Sequence, residues 1–110
     1  MGEYDNMHVL ERDVEFDFNH ADILLSIFRY LKRKLEIQLP ERQRYIGIAQ
    51  REFKGHFARV FDQNCKYSIS ECKNLITALG DAAADLQKYT DAAHQENENR
   101  KKFREAMAHW

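Results

Sequence analysis

Little in this sequence interrupts a helix: it has one proline and four glycines in 110 residues. That scarcity argues against turn-rich sandwiches and barrels and suits an all-α chain. No apolar run approaches the roughly 20 residues that a membrane span requires. The start also lacks the basic and apolar regions of a cleavable signal peptide, so export, if it occurs, is expected to use another route. Neither charge sign dominates, with 17 basic residues against 18 acidic ones; bulk charge argues neither for nor against nucleic acid. There are only two cysteines, Cys65 and Cys72, seven positions apart. On one helix that is about 10 Å, too far for an internal bridge. They read as small buried thiols, and any disulfide would have to join two chains. No Gly-x-Ser-x-Gly nucleophile turn and no phosphate-cradling glycine loop is present, so the chain is read as a non-enzyme without a cofactor.

What the sequence does have is helical stepping. From Cys72 onward, alternate steps of three and four select Cys72, Leu75, Leu79, Ala82, Leu86, Tyr89, Ala93, Glu96, Arg100, Phe103, Met107 and Trp110. Such a stripe keeps one face of a helix pointing one way over five heptads, the behaviour of a coiled coil or long bundle. An earlier stripe, Leu24, Ile27, Phe28, Leu31 and Leu35, predicts a first helix. Its N-cap is read as Asn19, with Asp22 in the first turn and the helix beginning near His20. Residues 1–18 are acidic. Val14, Phe16 and Phe18 alternate with Glu15 and Asp17 in a strand-like spacing, so this segment is read as an extended arm able to lie on the bundle or on a partner.

Two places can interrupt the helices. Pro40 predicts a kink or break near Gln38 to Glu41, because a proline inside a helix costs about 3 kcal/mol. Phe53-Lys54-Gly55 offers a permissive glycine for a tight turn. The stepping runs through both, so periodicity alone leaves the reversal at either. Ser68-Ile69-Ser70-Glu71 has capping-box spacing, but a continuous helix there is preferred. Gly80, beside Ala78 and Ala82-Ala83-Ala84, reads as a small-residue face allowing close helix approach.

Candidate chemistry is sparse. Glu52 and His56 are four apart and could share a helical face, but no second Glu-x-x-His element supports a bundle metal site. His8, His94 and His109 are scattered. The basic clusters Arg29, Lys32, Arg33, Lys34 and Arg100, Lys101, Lys102, Arg104 are mixed with acids and read as solvated faces. Glu96 and Arg100 interrupt the apolar seam four residues apart, either pairing with each other or fixing register with a partner. Phe103, Met107 and Trp110 then form a stripe near the end of the chain, open to a docking role or to an extended core.

About 30 residues of amphipathic helix, then Phe53-Lys54-Gly55, then aromatic Phe57 and Phe61 and a long Ala/Leu-rich helix resemble the Trp-x-Gly (ESAT-like) family of small helical hairpins handled by type VII secretion systems. Phe stands in place of Trp. Glu96-Asn97-Glu98-Asn99-Arg100-Lys101-Lys102 is similar to the polar stretch of an actinobacterial Phe-x-Gly branch. The resemblance covers residues 18–110. It implies dimers, of the chain with itself or with a related small helical protein, packed as a four-helix bundle, contact with a secretion apparatus, and a secreted or cell-envelope location. The chain departs from the family at its export signal: Ala93 stands four positions after Tyr89, where an acidic residue is expected, and Tyr67 with Glu71 has that spacing only early in the second helix.

The reading adopted is an all-α antiparallel helical hairpin. An acidic arm over 1–18 precedes a hairpin domain over 19–110, with helices over about 20–52 and 56–108 and the turn at Phe53 and Gly55. At this size such a hairpin buries itself poorly alone, so a partner is expected. The interface candidates are Leu75, Leu79, Ala82, Leu86, Tyr89, Phe103, Met107 and Trp110. The alternative from another class is a cytoplasmic helical regulatory module, antitoxin-like or associated with nucleic acid.

Overall fold

The computed structural model describes residues 12–52 and 55–109. Two helices account for most of them: α1, Phe18–Glu52, and α2, His56–Ala108. Phe18 stacks on His94 and Lys32 lies against Gly80, two pairs whose numbers both add to 112. The helices therefore run antiparallel, and the hairpin expected from the two stripes is the fold.

The reversal falls between Glu52 and His56. Gly55 has φ 79° and ψ −146°, a region essentially restricted to glycine because a Cβ would clash there. Phe53 and Lys54, the rest of the predicted turn, lie outside the described residues. α2 runs without interruption through Ser68 to Glu71.

Two expectations need correction. The first helix begins at Phe18, and its N-cap is Asp17, whose Oδ1 accepts the His20 amide at 2.9 Å. Asp17 serves because its carboxylate reaches the third amide of the helix, one of the donors with no partner in the preceding turn. The second concerns Pro40: no break falls near Gln38 to Glu41, and α1 runs through the proline as the single helix expected over about 20–52 does. It is exposed, and Glu36, whose carbonyl loses its amide partner, is exposed too. Water can take that carbonyl, which lowers the cost of the missing hydrogen bond.

The core is a narrow seam. On α1 its members step three and four: Phe18, Ala21, Leu25, Phe28, Lys32, Leu35 and Leu39, resuming at Ile46 and Ala49, all buried or half-buried. On α2 two adjacent columns face them: Cys65, Cys72, Leu79, Leu86 and Ala93, with Ile69, Ile76, Ala83 and Thr90. Among the described residues no large side chain is completely buried. The molecule measures 83 × 26 × 15 Å and exposes 9002 Å², against ~6400 Å² for a compact chain of this mass. Cys65 and Cys72 are buried unbonded thiols within the seam.

The described part of the arm is not a strand. The Phe16 amide bonds the Val14 carbonyl at 3.0 Å and the Phe18 amide the Phe16 carbonyl at 3.1 Å. These are successive three-residue turns. An alternating segment needs a neighbouring strand to stay extended, and among the described residues there is none to pair with.

These glycine environments separate two substitutions. Gly55→Ala is expected to cost about 1–3 kcal/mol through backbone strain. At Gly80 a Cβ would meet only the mobile end of Lys32, 3.4 Å away, so Gly80→Ala is expected to gain up to about 1 kcal/mol of helix propensity. Urea unfolding followed by circular dichroism at one protein concentration measures both.

Candidate functional site

The two edges of the seam differ in chemistry. On one side of the hairpin the groove between the helices is lined by Arg29, Lys32, Gly80, Ala84, Gln87 and Asp91. Here Arg29 Nη2 donates to Gln87 Oε1 at 3.2 Å, and Gln87 Nε2 donates to Asp91 Oδ1 at 2.9 Å. Lys32 Nζ is 3.6 Å from Glu36. On the other side the groove is lined by Leu35, Arg42, Ser68, Cys72, Leu75 and Ala78. Ile27 and Leu31 stand two positions from Arg29, about 200° round the helix, and so belong to this second side.

The second side carries much of the exposed apolar surface. On α1 it holds Ile27 and Leu31, 45% and 43% exposed, followed by Tyr45 and Ile48. On α2 it holds Leu75 and Tyr89, 50% and 67% exposed, with half-buried Ala82 between them. Ile23, Tyr30 and Ile37 extend the apolar band round the back of α1. On α1 the apolar residues of this side fall in two groups, Ile27 with Leu31 and Tyr45 with Ile48, divided by exposed Lys34, Gln38 and Glu41.

The predicted interface residues therefore divide. Leu75, Ala82 and Tyr89 share the open column. Leu79 and Leu86 stand in the column of Cys72 and face α1. Phe103 is half-buried, and Met107 is 47% exposed because the Cys72 column outruns α1 there. Trp110 lies outside the described residues. The stripe read from the sequence mixed two columns: inside the hairpin the steps run four then three, through Ile76, Ala83, Thr90 and Asn97. On α1, likewise, the stripe Leu24, Ile27, Phe28, Leu31 and Leu35 mixes half-buried Leu24, Phe28 and Leu35 with exposed Ile27 and Leu31, and Leu25, outside it, is buried. The doubled apolar pairs Leu24-Leu25, Ile27-Phe28 and Tyr30-Leu31 were the available signal, since a helix facing one neighbour has little use for adjacent apolar residues.

Beyond the start of α1, the seam positions of α2 turn polar and take up the arm. Asn97 Oδ1 accepts the Val14 amide at 2.8 Å, and Arg100 Nη1 donates to the Arg12 carbonyl at 3.1 Å. Arg104 Nη2 is 3.2 Å from Asp13 Oδ1. Glu96 Oε1 accepts from Arg100 Nε at 2.9 Å, an i,i+4 pair that aims the guanidinium at the arm.

Other candidates contribute little chemistry. Glu52 ends α1 and His56 begins α2, so they do not share a helical face. Among the described residues no three His, Cys, Asp or Glu side chains gather as a metal site. No helix of the described residues is long and apolar enough to cross a membrane. Tyr67 is exposed, and its phenol is held above its usual pKa by the hydrogen bond it donates to Glu71 and by that carboxylate's charge.

The arm contacts lead to a measurable outcome. Asn97→Ala removes the acceptor of the Val14 amide and is expected to cost about 0.5–1.5 kcal/mol. Tryptic cleavage after Arg12 should accelerate severalfold while the helical signal is retained; an unchanged cleavage rate would mean that the contact does not hold the arm.

No family model matches the chain, and neither a curated protein nor a solved structure matches it.

Proposed function

We propose that this chain is a non-enzymatic association module: a helical hairpin that completes a four-helix bundle by packing its apolar side against a second hairpin. One observation carries the reading, the contrast between the two sides of the seam. On one side Arg29 of α1 donates to Gln87 of α2, which in turn bonds Asp91 of its own helix, while the other presents Ile27, Leu31, Leu75 and Tyr89 to solvent. A two-helix layer hides one face of each helix, and a second layer is the usual way to hide the next.

The resemblance to the Trp-x-Gly family supplies the biological setting. Under that reading the protein is a substrate or partner of a type VII secretion system, associates with itself or with a related small helical protein, and reaches the envelope or exterior without a cleavable signal. Gly55 in a glycine-only conformation at the reversal is compatible with it, as is the length of α2. Tyr89 remains an exposed residue of the apolar side, with half-buried Ala93 four positions on.

Sedimentation equilibrium across a hundredfold concentration range tests the association. The chain is expected to be dimeric at micromolar concentration, with a melting temperature that rises with concentration. Leu31→Glu is expected to weaken the dimer at least tenfold, whereas Gln63→Glu, at an exposed position of the polar side, is expected to leave it unchanged. A folded monomer throughout that range, alone and mixed with candidate related hairpins, would overturn the reading.

A further inference from the structure

We infer that the overhanging end of α2 is a recognition surface for a non-helical acidic peptide segment of another protein, and that residues 12–16 of the chain itself occupy it as a tethered, exchangeable ligand. The inference stands apart from the association reading above, because this surface lies past the start of α1, where α2 has no helix of its own chain beside it.

Three side chains of α2 read three consecutive residues of the arm. Arg100 Nη1 donates to the Arg12 carbonyl at 3.1 Å, Arg104 Nη2 meets the Asp13 carboxylate at 3.2 Å, and Asn97 Oδ1 accepts the Val14 amide at 2.8 Å. Asn97, Arg100 and Arg104 step three and four and so share a helical face. Two of the contacts address backbone groups that any segment outside a helix or sheet must satisfy elsewhere. The third selects a carboxylate, through a charge-assisted bond. The arm's side chains add an alternation: Val14 and Phe16 are half-buried, whereas Asp13 and Glu15 are exposed. Phe16 ends on Phe18 of α1, with ring centroids 4.8 Å apart. The surface therefore fits a segment of the order acid, apolar, acid, apolar, with its apolar residues turned toward the hairpin.

The two sides of this contact are unequally supported. On α2 the three readers stand on one continuous helix, and Glu96 Oε1 holds Arg100 Nε at 2.9 Å without help from the arm. A surface so preorganised gives up little freedom when a ligand binds. The arm has less of its own. Its backbone bonds between Val14 and Phe18 are two three-residue turns, and the Asp13 side chain is 61% exposed at its meeting with Arg104. Ion pairs so exposed hold weakly. Attachment to α1 does much of the holding, since a short tether presents a segment at about millimolar effective concentration. A free peptide has to displace it, so the arm gates the surface.

The test uses the full chain and a fluorescently labelled, acetylated peptide of residues 12–18, with binding read by fluorescence anisotropy. Asp13→Arg together with Val14→Pro repels Arg104 and deletes the amide that Asn97 accepts, and both positions lie outside the helices. That variant is expected to bind the peptide at least tenfold more tightly than the natural chain does, with Val14→Pro alone giving part of the gain. Adding Arg104→Glu is expected to weaken peptide binding at least tenfold, and a peptide carrying Asp13→Arg to recover it. Equal affinity for the natural chain and the arm variants would overturn the gating. No binding to any arm variant, or binding that survives Arg104→Glu, would overturn the surface. Displacement of the peptide by a short single-stranded oligonucleotide at equal concentration would assign the arginines to nucleic acid and overturn the peptide reading. Sedimentation of the same variants reports separately on association through the apolar side.

Discussion

Two helices side by side can cover only one stripe of each other, and everything else in this molecule follows from that geometric limit. α1 and α2 make their contact through columns about 100° wide, and the contact buries Ala21, Leu25, Cys65, Cys72 and Ala83 together with Thr90. Small side chains dominate that group. They let the helices approach closely, but each contributes little area, at roughly 25 cal/mol per Å². Larger apolar residues such as Ile27, Leu31 and Tyr89 lie outside the stripe and add little to the monomer's stability. In the hairpin by itself these larger side chains stay partly in water, and covering any of them would add stability at that same rate per area.

The two ends of the long helix solve the same limit differently. Where α1 is alongside, α2 offers Cys, Ile, Leu and Ala to the seam. Past Phe18, the same columns continue as Asn97, Arg100 and Arg104, and the neighbour is the irregular backbone of residues 12–17. A helix can be met with apolar side chains because its amides are already satisfied internally; a segment without a ladder cannot, and needs donors and acceptors from outside. The change from an apolar to a polar seam thus matches the change of neighbour. Glu96 has its place here as the acid that steers Arg100 toward the Arg12 carbonyl.

Much of this was legible in the sequence, and the errors share a cause. Helix type follows from stepping, whereas the stepping left the reversal at Pro40 or Gly55, and the glycine-only backbone of Gly55 marks which of the two is used. The phase of the seam was harder. Cys72, Leu79, Leu86 and Ala93 belong both to the stripe of steps three then four and to the stripe of steps four then three, and only the apolar character of Leu75 and Tyr89 chose between them. That choice fell on residues that the hairpin leaves exposed. Amphipathicity reports that a face is dry but not which neighbour dries it, so a helix with two dry faces gives a merged stripe. Asp17 was passed over as cap because Asn19 stood nearer the apolar pattern. Pro40 was judged by its cost in a packed helix, whereas its exposure in the hairpin leaves the orphaned carbonyl to water.

The position of Pro40 adds one more constraint. It shares a column with Ser26, Arg33 and Gly47, on the polar side of α1 and away from the intrachain seam, with exposed Ile37 of the apolar band one turn before it. A ring without an amide weakens the helix only at the turn it occupies, and here that turn faces solvent. Ile27, Leu31 and Tyr45 lie round the helix from it, and α1 continues as one helix from Phe18 to Glu52. A proline on the seam side would instead have left its orphaned carbonyl facing α2, with no water to take it.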